Sequence, residues 1–166
     1  MHAVVVFESL WGNTEQLARE VAAGIGEGTE VVDAASAPTV LNPDVHLLVV
    51  GGPTHAFSMS TESTRESAKQ QGAERIPARG IREWIEGQTA PGRAVPVATF
   101  DTRVVSPRLP GSAAKKAMKR LVSLGFRPVA KPETFGVHGY AGPVADGELE
   151  RARSWGAELA TLSSRA

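Results

Sequence analysis

The run Val4-Val5-Val6-Phe7-Glu8-Ser9-Leu10-Trp11-Gly12-Asn13-Thr14-Glu15 constrains the fold most: an apolar strand passes without a break into a loop of hydroxyl, glycine and amide residues and then into a helix. Backbone N–H groups converge where such a loop meets a helix. The first-turn amides have no intrahelical acceptor there and the helix dipole adds positive potential, so the junction suits an anion. Two readings of the polar residues stand side by side: Ser9, Asn13 and Thr14 hold a phosphate, or Asn13 or Thr14 is an ordinary N-cap with Glu15 assisting in the first turn.

Beyond this junction, strands and helices alternate. Thr14 to Ile25 carries Leu17, Ala18, Val21, Ala22 and Ile25 at helical spacing, with Gly24, Gly26 and Gly28 as stop signals. Glu30 to Asp33 reads as a short strand, and Ala34 to Asp44, holding Pro38 and Pro43, as a short or irregular crossover. His46 to Pro53 is a continuous apolar run ending in Gly51-Gly52, the pattern of a strand buried on both faces. Further expected elements are a helix over Ile81 to Ile85, a strand over Ala94 to Phe100, a helix over Ser112 to Leu124, a strand over Pro128 to Val137 and a closing helix over Asp146 to Leu162. The alternation predicts a parallel sheet with helices on both faces, in one domain over residues 1–166. In an open sheet of this kind a ligand sits beyond the carboxyl ends of the strands. Three loops should meet there: Ser9 to Thr14, Gly51 to Ser60 and Thr99 to Arg103.

Composition narrows the chemistry. Lys and Arg number 18, as do Asp and Glu, so no overall field recruits nucleic acid, an anionic membrane or a strongly charged protein, and any steering is local. The absence of cysteine excludes disulfides, thiolate nucleophiles and Cys-ligated metal. His2, His46, His55 and His138 lack metal-binding spacing, and there is neither a G-x-S-x-G elbow nor a Walker lysine. Asp33 stands about twenty residues after Gly12, as a ribose-binding acid would in a dinucleotide fold, but no G-x-G-x-x-G precedes it. Met1-His2-Ala3 runs straight into a strand, from which a cytoplasmic protein is expected.

On Ser9-x-x-Gly12-Asn13-Thr14, Gly52-Pro53-Thr54-His55-Ala56-Phe57 and Thr99-Phe100-Asp101-Thr102, the chain resembles the flavodoxin and flavodoxin-like FMN-binding proteins over nearly its whole length. The resemblance implies a doubly wound five-stranded parallel sheet in the order 2-1-3-4-5, with FMN at the switch between strands 1 and 3. It assigns Ser9, Leu10, Trp11, Gly12, Asn13 and Thr14 to the FMN phosphate. Pro53, Thr54, His55, Ala56 and Phe57 fall to one side of the isoalloxazine, and Thr99, Phe100, Asp101, Thr102 and Arg103 to the other side and the pyrimidine edge. His55 and Phe100 become the expected ring neighbours, and the peptide of Ala56 the one that turns toward the flavin on reduction, a turn opposed by the alanine side chain at positive φ.

Three departures accompany the likeness. Trp11 stands where the family's phosphate loop commonly has a second hydroxyl, the chain is neutral where electron-shuttling flavodoxins are acidic, and Ser58 to Arg79 is long and carries Arg65, Lys69, Arg75 and Arg79. That segment reads equally as a lid, a partner surface or a solvated insertion, with His55, Arg65, Arg103 and Arg108 placed near the rim. The function implied is electron transfer through non-covalent FMN, to a redox partner protein or a small-molecule electron acceptor, by a monomer or weak dimer. The alternatives are an FMN-dependent oxidoreductase acting on a quinone or other small acceptor and a flavin-free interaction module with the same fold.

Overall fold

The computed structural model describes residues 1–89 and 91–165. The strands are β1 (Ala3–Phe7), β2 (Glu30–Asp33), β3 (Leu47–Pro53), β4 (Pro96–Val104), β5 (Arg127–Pro128) and β6 (Glu133–Val137). The helices are α1 (Asn13–Ile25), α2 (Glu62–Gln70), α3 (Ile81–Glu86), α4 (Ala113–Ser123) and α5 (Glu148–Ser164). All strands pair in parallel in the order β2-β1-β3-β4-β5, and β6 also pairs with β4. The expected order 2-1-3-4-5 therefore stands, with its last position shared by two short strands. Where the sequence reads one strand over Pro128 to Val137, β5 pairs with the start of β4 at Pro96 and Val97, and β6 with its end from Phe100 to Val104.

Burial on both faces follows the apolar runs. One core lies between the sheet and α1 and α5, with Val5, Phe7, Leu17, Phe100, Phe135 and Trp155; the other lies under α3 and α4, with Val6, Val50, Ile81, Trp84, Val97 and Leu121. Side chains alternate across β4, so Phe100 enters the first core while Thr99 and Asp101 face α4. Gly24, expected to help stop α1, instead lies inside the helix at its contact with α5, where a Cβ would stand 1.9 Å from the Arg153 carbonyl oxygen. Gly156 makes the reciprocal approach, 2.1 Å from the carbonyl oxygen of Val21. The two helices thus pack backbone against backbone.

Ala34 to Asp44 forms turns without a helix, as its prolines imply, and Arg79 pins it by donating to the carbonyls of Ala34 and Ala37 at 2.9 and 2.6 Å. Ser58 to Arg79 is anchored to the body of the protein through buried groups, although about half of its residues are exposed. It contains α2, whose capping box places the Thr61 hydroxyl as acceptor for the Thr64 amide and the Thr64 hydroxyl as acceptor for the Thr61 amide. Arg65 is 3% exposed, donates to Ser60 Oγ at 2.9 Å and pairs with Glu83 at 2.9 Å. Ser60 in turn bonds the carboxylate of Glu8, which is fully buried and also accepts from the Ile81 amide at 2.9 Å. This chain of polar groups ties α2 and α3 to the carboxyl end of β1, immediately before Ser9.

Candidate functional site

The carboxyl ends of β1, β3 and β4 open into a cleft of about 560 Å³, a volume typical of small-molecule sites. Its floor is the start of α1. Gly12 is the N-cap in a left-handed conformation, φ +93°, and no side chain caps the helix, so neither Asn13 nor Thr14 plays the capping part open to it in the sequence. The Ser9 hydroxyl accepts from the Gly12 amide at 3.1 Å and steadies the loop. Among the described residues, the amides of Asn13, Thr14 and Glu15 have no acceptor, so they present the dipole's positive end to the cleft. The Thr14 hydroxyl meets that of Thr102 at 3.0 Å, joining α1 to the end of β4.

One wall is the turn His55-Ala56-Phe57-Ser58. His55 and Ser58 exchange two backbone hydrogen bonds at 2.8 and 3.0 Å, while Ala56 and Phe57 have φ +46° and +70°. Positive φ at both central residues marks the two-residue hairpin turn that normally takes Asn-Gly, so two side chains here hold a strained backbone. Gly111 backs the turn, and a Cβ on it would lie 2.4 Å from the Phe57 carbonyl oxygen. Thr64, Ser67, Ala68 and Gln71 from α2 and the residue after it complete this side. The Thr64 hydroxyl lies 3.2 Å from His55 Nδ1 and ties the imidazole to α2. Burial, and secondarily the Arg65 charge, lower the His55 pKa to about 4, so the ring is neutral at pH 7.

The opposite wall differs from its sequence reading. β4 runs on to Val104, and of Thr99 to Arg103 only Thr102 and Arg103 line the cleft. Phe100 is 1% exposed and packs edge-on against Phe135 and Trp155, so it cannot neighbour a ligand ring in the cleft. Thr99 donates to the Ala114 carbonyl, and Asp101 accepts from Ser112 Oγ and the Ala114 amide, both fixing α4. The wall is built by Val104, Ser106, Pro107, Leu109 and Pro110, with Arg103 donating to the Gly111 carbonyl at 2.6 Å. Tyr140, which the sequence reading missed, stacks on Trp11 with centroids 5.9 Å apart. Its loop also covers Asn13, whose side chain lies against Gly142. An aromatic in a Gly-rich loop following the last core strand was the available signal.

Ser9, Leu10, Trp11, Asn13 and Thr14 thus line the cleft, as do Pro53, Thr54, His55, Ala56, Phe57, Thr102 and Arg103; Gly12 shapes the loop, and Thr99, Phe100 and Asp101 stand away from it. Arg65 is buried in its ion pair and His55 is neutral, which leaves Arg103 as the one charged side chain lining the cleft among the described residues. Among the described residues, no carboxylate lines it and no cluster of metal-ligating side chains exists. Among the same residues no helix is long and apolar enough to cross a membrane. The cleft therefore offers an anion seat at one end and a largely apolar slot beside it, with Arg103 on its wall.

No protein-family model matches the chain, and no curated protein matches it. Solved structures do. Oxidised flavodoxin 1 from Bacillus cereus aligns with TM-score 0.69 at 19% identity, over 97% of this chain and 98% of that one. A flavodoxin from the domain Archaea aligns at 0.64 and 17%, covering 99% of each. The flavodiiron protein from Giardia intestinalis aligns at 0.63 and 17%, over 99% of this chain but 36% of its own. The chain has the flavodoxin-like fold.

Proposed function

We propose that the protein binds FMN non-covalently in this cleft and transfers electrons through it. The observation that carries the reading is the uncapped start of α1, its three free amides opening into a cleft whose other walls are largely apolar. A phosphate monoester fits the first feature and an uncharged planar ring the second. The similarity to oxidised flavodoxins supports the same ligand. Bound FMN supplies reversible one- and two-electron chemistry at its ring system.

The chain's own residues bind, orient and exclude water. Ser9 and Thr14 hydroxyls and the amides of α1 hold the phosphate, while Trp11 and Tyr140 shield that end. The His55–Ser58 turn, held by Gly111, forms a rigid edge for the ring. His55 adds no charge to that edge, and Arg103 contributes the positive charge that favours added electron density.

Visible absorption of the protein titrated with FMN and with riboflavin tests the proposal. FMN should bind with a perturbed spectrum and at least about tenfold more tightly than riboflavin, the difference expected from hydrogen bonds to a charged phosphate. Equal affinities would remove the phosphate seat, and absence of binding would remove the function.

A further inference from the structure

The chain is neutral overall but its charge is unevenly placed. Between Asp101 and Glu133 it carries eight Lys or Arg and no Asp or Glu, out of 18 of each, so the remaining chain holds ten cations against all the acids. Arg120 pairs with Glu86, and among the described residues the other seven have no ion pair. Several of them lie at the cleft. Arg103 lines it, Arg108 lies in the exposed loop of its wall, and α4 begins where the Ala113 amide donates to Thr54, another lining residue. Lys115 and Lys116 are exposed in the first turn of that helix, and Lys119 one turn on.

Folding does not call for this arrangement. Cations in a helix's first turn oppose its dipole, and α4 has no acidic residue there. Beside these cations stand exposed apolar side chains: Phe57 and Leu109, each 52% exposed, and Val105 at 44%. An apolar centre at the mouth of a site, flanked by charges of one sign, has the anatomy of a transient protein interface, in which the charges steer encounter and the apolar groups make contact.

Resting on the FMN reading, we propose that this face, from Phe57 and Leu109 across Arg103 and Arg108 to Lys115, Lys116 and Lys119, docks an acidic electron-carrier protein. The carrier presents carboxylates to the lysines and its redox centre to the mouth of the cleft. A protein fits better than a polyanion because the apolar groups lie at the opening through which electrons must pass, where the apolar contact surface around a carrier's redox centre would cover them.

Calorimetry of the FMN-saturated protein, its flavin content read from the visible spectrum of the same sample, provides the test. The probes are a plant-type [2Fe–2S] ferredoxin as the acidic carrier, cytochrome c as a basic one, an unrelated DNA duplex and vesicles containing phosphatidylserine. The ferredoxin should bind, with affinity falling at least about tenfold between low and physiological salt, and cytochrome c should not. Lys115→Glu with Lys116→Glu should weaken the ferredoxin about tenfold or more with FMN affinity unchanged. Arg127→Glu, at the far end of β4, should have little effect. Flavin-loaded protein that ignores the ferredoxin, binds both carriers alike, or binds the duplex or vesicles more tightly than the ferredoxin overturns the proposal. A sample that takes up no flavin overturns the FMN reading instead.

Discussion

At Ala56 and Phe57 the backbone stands where L-residues pay a steric cost, about 1–2 kcal/mol for a left-handed conformation. The positive φ that the alanine side chain opposes is already present in the folded chain, held by the paired backbone hydrogen bonds of His55 and Ser58 and by Gly111 behind the turn. Ala56→Gly relieves the clash but frees the unfolded chain, so the apoprotein should gain about 0.5–1 kcal/mol in urea unfolding. A loss would mean that the alanine methyl packs favourably despite the strain. His55 supplies a pH dependence. Its pKa is about 4 when folded against 6.5 when free, so the unfolded chain binds more protons between these values. Stability is full above the upper value and falls as pH drops toward the lower one, by up to about 3 kcal/mol. His55→Gln should flatten this part of a urea-against-pH profile. Thr14→Ala should weaken FMN by about 1–2 kcal/mol with riboflavin little changed, and calorimetry separates the two.

Among the elements, α1 and α5 approach closely only because glycine stands at both contact points. Gly24→Ala raises helix propensity by about 1 kcal/mol, yet its Cβ would collide with the Arg153 carbonyl. The collision should dominate, lowering stability by about 1–3 kcal/mol and the melting temperature measured by circular dichroism. This glycine marks a limit of sequence reading: a stop signal and a close-packing glycine look alike until the partner helix is in place. Strands β1 to β4 and the helices α1, α4 and α5 were legible because apolar runs and 3.6-residue spacing are local, whereas the division of the last strand into β5 and β6 was not. α2 was not, since its sequence Glu62 to Gln70 is polar on most faces and is held by Arg65 reaching Ser60 and Glu83. Phe100 failed for a related reason. Strand β4 continues past it, and alternation turns its ring inward while Thr102 and Arg103 reach the cleft. The phosphate-loop motif was readable in its spacing, whereas the Trp11–Tyr140 stack joins positions far apart in the chain.

For the whole molecule, the break in the last sheet position carries a consequence for self-association. A sheet edge with unpaired N–H and C=O groups invites another chain to add a strand. On the β5 edge the Arg127 and Val129 amides point inward to the carbonyls of Val95 and Val97, so the outward donor position falls on Pro128, which has no N–H. Pro132 interrupts the edge again before β6, and the opposite edge, β2, is four residues long with Glu30 and Asp33 at its ends. Neither side offers a continuous ladder to a second copy. Pro128→Val together with Pro132→Val would restore the missing donors, and sedimentation at high concentration should then reveal dimers or larger species where the parent chain sediments as one. The break that splits the last strand thus leaves that edge of the sheet without a continuous row of donors for a second chain.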